Sequence, residues 1–232
     1  MQDKIDALDW PGIRQALNRQ GWAEIPAFLT PEQCSELTSL WPDESLFRSE
    51  VNMQRHNFGR GRYRYFAYPL PTLIEQARQH LYRNLVPVAN DWMARLKQPH
   101  TYPETLPEFL RQCHQAGQIR PTPLMLEYGP EDYNRLHQDQ YGPHAFPLQA
   151  VLMLSDRADF EGGQFVMTET RPRTQTRAHV LTPDQGTIVI FAGSRRPVPS
   201  VRGYSAITLR HGVSEIFSGH RKTLGIIFHD AT

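Results

Sequence analysis

His137, Gln138 and Asp139 form the only His-x-Asp sequence in the chain. On an extended backbone, side chains two positions apart leave the same face, so His137 and Asp139 can reach one metal ion. Two imidazoles and one carboxylate on one face of an octahedron leave three positions open for dioxygen and substrates, the ligand pattern of non-haem Fe(II) chemistry. The third ligand is expected much later, on a strand that folds back beside the first. His211 fits, because it closes the β-like run 205–210. Arg221 comes ten residues further on, beyond the Ser218-Gly219 turn. From there a hairpin can return its guanidinium toward the metal, to hold the distal carboxylate of a keto acid in a bidentate pair. The tripeptide alone is weak, since with ten histidines in 232 residues about half of one such match arises by chance. A lone His at a strand end is more often a hydrogen-bonded structural residue, so the ordered set of four carries the assignment. His220 is the one competitor for the third ligand, and the ten-residue spacing to Arg221 favours His211. His144, His179 and His229 are read as non-ligands.

Two kinds of element must position these residues. The first half, 1–118, reads as mainly helical support. Asp9 caps a helix running to about Gln20, with Pro11 in its first turn and Gly21 as its stop. Thr30, Pro31 and Gln33 make a capping box. Leu73, Ile74, Ala77, Leu81 and Leu85 recur at helical spacing, with Pro87 ending or kinking that helix and 88–96 continuing it. Thr105-Leu106-Pro107-Glu108 opens another helix that Gly117 closes. From about residue 119 the period changes to two. Leu124, Leu126 and Tyr128 alternate, and β-like runs follow at 148–154, 164–168, 178–181, 187–191, 205–209 and 223–228, separated by turns such as Gly162-Gly163 and Asp184-Gln185-Gly186. Many short strands in about 110 residues suggest a β-sandwich or jelly roll. The expected fold is α+β: one domain over 1–232, with helices packed outside a catalytic β core at 119–232.

Composition narrows the classes. Hydrophobic residues at 39% against charged residues at 21% place the chain among globular proteins rather than disordered ones. No apolar run approaches the roughly 20 residues needed to span a bilayer, and the start Met1-Gln2-Asp3-Lys4 has no leader pattern, so no membrane role is expected. Cys34 and Cys113 are too few for a disulfide framework, which points to a reduced, cytoplasmic setting. A net charge of +1 neither predicts nor excludes a nucleic-acid partner. Oligomeric state is left open.

With these residues in place, the stretch 121–230 resembles the catalytic core of the Fe(II)/2-oxoglutarate oxygenase superfamily. Its pattern is His-x-Asp, a distant His, then Arg or Lys about ten residues on. Tyr128-Gly129-Pro130-Glu131-Asp132-Tyr133 is similar to the approach to the first His in prolyl 4-hydroxylases. Phe160-Glu161-Gly162-Gly163-Gln164-Phe165 resembles their Glu-Gly-Gly turn, and Asp184-Gln185-Gly186-Thr187-Ile188-Val189-Ile190-Phe191 resembles the Gly-led strand before the distal His. The resemblance implies a double-stranded β-helix, the jelly roll of these enzymes. It implies Fe(II) on His137, Asp139 and His211, with 2-oxoglutarate and O2 as co-substrates. It assigns the C5 carboxylate of 2-oxoglutarate to Arg221 and places Tyr128 in the co-substrate pocket. From the residues alone, Tyr128 reads equally well as a core aromatic on an alternating strand. The implied reaction turns 2-oxoglutarate into succinate and CO2 while hydroxylating a substrate C–H. Asp139, where halogenases carry Ala or Gly, argues against halide chemistry.

Across its whole length, including Gly21-Trp22-Ala23-Glu24-Ile25-Pro26 and the stretch 204–214, the chain is most similar to a bacterial family described as predicted nucleic-acid oxygenases, acting in oxidative demethylation of damaged DNA. One local feature fits that substrate. Arg55, Arg60, Arg62 and Arg64 interleave with Phe58, Tyr63, Tyr65, Phe66 and Tyr68. Basic side chains can hold phosphates while aromatic faces stack on bases, which makes Arg60, Arg62, Arg64, Tyr63 and Tyr65 candidate substrate contacts. The competing interpretation is a β-hairpin with solvated arginines on one face and core aromatics on the other. Arg171, Arg173, Arg177, Arg195, Arg196 and Arg202 make the loops of the β half basic as well. A protein or peptide hydroxylase of prolyl type, a small-molecule hydroxylase, and a binding module with a degenerate metal site are the alternatives.

Overall fold

The computed structural model describes residues 1–139 and 142–232. The chain starts with helices α1 (Gln2–Asp6) and α2 (Trp10–Gln20), strand β1 (Trp22–Ile25) and helix α3 (Pro31–Ser39). Strands β2 (Phe47–Asn52), β3 (Gly59–Arg60) and β4 (Arg62–Phe66) come next, then the long α4 (Thr72–Arg95) and α5 (Leu106–Gln115). Strands fill the remainder: β5 (Leu124–Tyr128), β6 (Tyr133–His137), β7 (Leu148–Met153), β8 (Phe160–Gly162), β9 (Phe165–Thr170) and β10 (Arg177–Leu181). After these come β11 (Ile188–Ala192), β12 (Arg195–Ser200), β13 (Gly203–Val213), β14 (Ile216–Gly219) and β15 (Arg221–Ile227).

Local chemistry sets the helix ends. The Asp9 carboxylate accepts from the Gly12 amide, and Gly21 closes α2 in the left-handed region at φ 92°. Thr30 and Gln33 cap α3 reciprocally, each side chain accepting from the other's backbone amide. At α5 the Thr105 hydroxyl instead donates to the Glu108 carboxylate. Pro87 does not end α4, which runs unbroken to Arg95. A proline inside a helix costs about 3 kcal/mol. The buried side chains on both sides of it, among them Leu85, Val88 and Trp92, each contribute about 1.5–3 kcal/mol on burial, which offsets that cost.

The fold is α+β, and its named strands pair antiparallel. A seven-stranded sheet runs in the order β1-β11-β7-β15-β5-β4-β2. A six-stranded sheet runs β10-β9-β13-β6-β3, with β12 attached to β13, and β14 pairs with β8. The first 118 residues are therefore more than helical support: β1, β2 and β4 extend the seven-stranded sheet and β3 extends the other. Period two then divides the residues of the large sheet. Leu224, Ile226, Met125, Leu152 and Ile190 join the main core with Ile74, Leu81 and Leu85 of α4. Their neighbours Arg221, Thr223, Leu126, Val151 and Phe191 line a cavity whose other wall is the six-stranded sheet. The Arg78 guanidinium fastens α4 to the end of β15 by donating to the Ile227 and Phe228 carbonyls and the Asp230 carboxylate. Among the described residues, no helix is long and apolar enough to cross a membrane.

Candidate metal centre

β6 and β13 lie side by side, and their register sets His137 directly opposite His211. Paired residues of adjacent strands project from the same face, and the two imidazole centroids are 4.3 Å apart. Asp139, two residues past His137, completes the group. Its carboxylate oxygens lie 3.5 Å from His137 Nε2 and 3.2 Å from His211 Nε2. One potential ligand atom from each of the three falls within 4.8 Å of the others, close enough to converge on one ion. The chemistry of the set, two imidazoles and a carboxylate, suits a first-row divalent metal. His137 Nδ1 sits 2.7 Å from the Arg135 carbonyl. A proton held there leaves Nε2 free as the metal-facing lone pair. Burial lowers the His137 pKa, His211 lowers it further, and Asp139 and the Arg135 carbonyl oppose them. Neutral imidazole is the form a metal needs. Between His137 and Asp139, the Gln138 side-chain amide donates to the Ser194 and Leu209 carbonyls, tying the end of β6 to β13.

Arg221 approaches the same cavity from the opposite wall. The expected hairpin from His211 does not form, because β13 and β15 belong to different sheets and β14 lies between them in sequence. Arg221 instead pairs with Tyr128 across β15 and β5, and its guanidinium stands 5.5 Å from the Tyr128 ring centroid. It is 1% exposed, and its Nε has no hydrogen-bond partner among the described residues. Burial lowers its pKa to about 10, against the pull of Tyr128, so it stays cationic at neutral pH. Burial pushes the Tyr128 phenol up to about 12, with Arg221 and Asn134 pulling the other way, so it keeps its proton. A buried cation without a counter-charge is costly. Here it lines a cavity of about 400 Å³ that also holds His137, Asp139 and His211. The donor set fits iron, and the unpaired guanidinium fits a dicarboxylate spanning from the metal.

The aromatic–basic segment divides by strand alternation. Tyr63 and Tyr65 line the cavity, their rings edge to face at 5.3 Å. Arg62 and Arg64 leave the other face of β4, where they pair with Glu127 and Glu50. Arg60 pairs with Glu131. The three arginines are thus committed to carboxylates and do not line the cavity, unlike the row of free cations that the sequence suggests. The cavity also takes in Gln149, Phe165 and Phe191, which sit in apolar runs that gave no sign of function. The Gln149 side-chain amide lies 3.4 Å from His211 Nε2.

Comparison with known proteins agrees with this geometry. Residues 61–231 match the model of the family Oxygenase-NA, described as an oxygenase catalysing oxidative methylation of damaged DNA. Two uncharacterized proteins, Rv2227 and MT2286 from two strains of Mycobacterium tuberculosis, are each 47% identical over 167 residues, 72% of this chain and 72% of theirs. Among solved structures, a 2OG-Fe(II) oxygenase family oxidoreductase from Burkholderia pseudomallei superposes with a TM-score of 0.61 at 14% identity, covering 97% of this chain and 94% of that one. A prolyl-4-hydroxylase from Pseudomonas putida gives 0.57 at 15% identity over 96% and 99%. At such identities the likeness is one of fold.

Proposed function

The chain belongs to the Oxygenase-NA family and is an oxygenase, and on that footing we propose that it is an Fe(II)- and 2-oxoglutarate-dependent dioxygenase that oxidises methylated nucleic-acid bases. His137, Asp139 and His211 hold the iron, and Arg221, beside Tyr128, holds the distal carboxylate of 2-oxoglutarate. One observation carries this reading: the His-Asp-His cluster and an unpaired buried arginine share one cavity. The facing antiparallel sheets support a double-stranded β-helix, and the way β1–β4 complete sheets built by the C-terminal half supports one domain over 1–232.

Bound iron with O2 and 2-oxoglutarate supplies oxidation of a substrate C–H, with succinate and CO2 as co-products. The chain's own residues do the rest. Arg221 fixes the co-substrate by a forked pair of hydrogen bonds. Tyr63 and Tyr65 give a base flat faces inside the cavity, which it enters flipped out or single-stranded. Phe165 and Phe191, against His211, keep water from that side of the metal. An oxygenase delivers oxygen to carbon, so on an N-methyl base it produces a hemiaminal that loses formaldehyde; the methyl group is removed, not added.

The test is turnover of the iron-loaded enzyme with methylated and unmethylated oligonucleotides, proline-containing peptides and small acids, scoring succinate and formaldehyde together. Equal amounts of both, with methylated oligonucleotides only, are expected. Succinate coupled to a peptide or small acid instead refutes the substrate class. No 2-oxoglutarate turnover at all refutes the enzyme class.

A further inference from the structure

A second cavity meets the first at Asp139. It is lined by the end of α4 and by the β12–β13 hairpin, and Asp139 lines both cavities. Its other charged lining residues are all cations: Arg95, Lys97, Arg195 and Arg202. Lys97, Arg195 and Arg202 are exposed, and none of the three has an ion pair among the described residues. Tyr204 stands among them 43% exposed, with the Arg95 guanidinium 4.8 Å from its ring centroid. Arg95 also pairs with Asp91, one turn back. The contrast with Arg60, Arg62 and Arg64 is direct, since each of those faces a carboxylate.

We infer that this groove holds single-stranded nucleic acid, with Arg195, Arg202 and Lys97 on the phosphates and Tyr204 stacked on a base, and that it leads the strand to Asp139. The inference deepens the function proposed above and rests on it. Unpaired cations on a path beside an open aromatic face are what a sequence-tolerant single-strand site requires. The juxtaposition with Asp139 gives the path its direction: a base flanking the stacked one lies next to the metal cavity. The strand does not need the outer face of β4, whose arginines are already neutralised.

Fluorescence anisotropy of a labelled oligothymidylate tests this, with the intact enzyme at several salt concentrations and without turnover. The wild type should bind at low salt, with affinity falling steeply as salt rises. The double variant R195A/R202A should bind at least tenfold more weakly. Its log K against log salt slope should be shallower by about 1.4, because two phosphates of a single strand are no longer neutralised. Y204A should weaken binding on the order of fivefold to a hundredfold while leaving the slope unchanged. All three substitutions are on exposed side chains, and unchanged melting temperatures confirm folding. If the wild type binds and R195A/R202A binds equally well, the groove is wrong while the nucleic-acid reading stands. If no oligonucleotide binds the wild type even at low salt, both fall. If polyglutamate of equal charge competes as well as the oligonucleotide and Y204A changes nothing, the groove takes acidic peptides and the inference is overturned.

Discussion

At the scale of single residues, Arg221 is the side chain whose surroundings make least sense without a ligand. It is 1% exposed, and its nearest aromatic, Tyr128, offers a ring face rather than a charge. Burying a cation costs several kcal/mol unless an anion compensates, so the position is a liability for the apoenzyme. This has two opposite consequences for Arg221→Leu. Stability without co-substrate should rise, because the lost group was unpaired. Affinity for 2-oxoglutarate should fall on the order of 10- to 100-fold, the worth of hydrogen bonds to a charged group. Arg221→Lys should lie between, keeping the charge and losing the fork. Calorimetric titration and melting curves with and without 2-oxoglutarate check both, since a ligand bound only by the folded state raises its melting temperature. A less stable Arg221→Leu protein that binds the co-substrate as before would show the assignment to be wrong. Strand periodicity made the shared face of His137 and Asp139 legible in the sequence, but not the route of Arg221, which lines the cavity from the opposite sheet rather than through a hairpin from His211. Which face of 62–66 looks at the metal was not legible. Alternation separates Arg62 and Arg64 from Tyr63 and Tyr65, but only the place of β4 beside β5 decides which set points inward.

Among the elements, the pairing of β13 with β6 decides whether three side chains become one site. The two strands approach very closely at Gly212, where a Cβ would come within 2.5 Å of the Asn134 carbonyl oxygen. That oxygen belongs to backbone and cannot swing aside, so Gly212→Ala must push the strands apart beside the His137–His211 pair. Because Gly212 sits where the register slips between His211 and Val213, the displacement should act first on the adjacent His211. Metal affinity should drop on the order of tenfold or more, as when a supporting shell is disturbed. Titration of the apoprotein with Mn(II) or Co(II) measures it, and circular dichroism at 25 °C should show the sheets retained. Equal metal affinity in wild type and variant would mean that the close approach has no part in holding the site. The caps of α2 and α3 could be read directly, since a capping side chain and a stop glycine are local. The strands that escaped detection lack a local signal. β6 is Tyr-Asn-Arg-Leu-His and shows no apolar alternation. β12 contains Pro197 and Pro199, which it tolerates because β13 is its single named partner.

At the scale of the whole molecule, the C-terminal end of the chain meets α4 and α5 around a buried polar group. The Asp230 carboxylate, fully buried, takes hydrogen bonds from Arg78 and Tyr68 and pairs with His114. Next to it, His229 is 2% exposed, and its Nδ1 accepts from the Phe146 amide, a bond that only an unprotonated Nδ1 can make. Burial, reinforced by the Arg78 charge, lowers the His229 pKa from 6.5 to about 4. The unfolded chain therefore takes up this proton near pH 6.5, while the folded chain resists it until about pH 4. In that window the unfolded state binds more protons, so stability falls as pH falls. The contribution is complete above pH 6.5 and lost by about pH 4. Going from pH 7 to pH 5 it amounts to about 2 kcal/mol, at 1.36 kcal/mol per pKa unit. Carboxylates elsewhere add their own slope, so a difference is needed. Urea unfolding of the wild type and His229→Gln at both pH values supplies it. The variant should start less stable at pH 7, having lost a buried ring, yet lose about 2 kcal/mol less than the wild type on acidification. Parallel losses in the two proteins would mean that His229 is protonated in the fold and that the Phe146 amide is not what holds it.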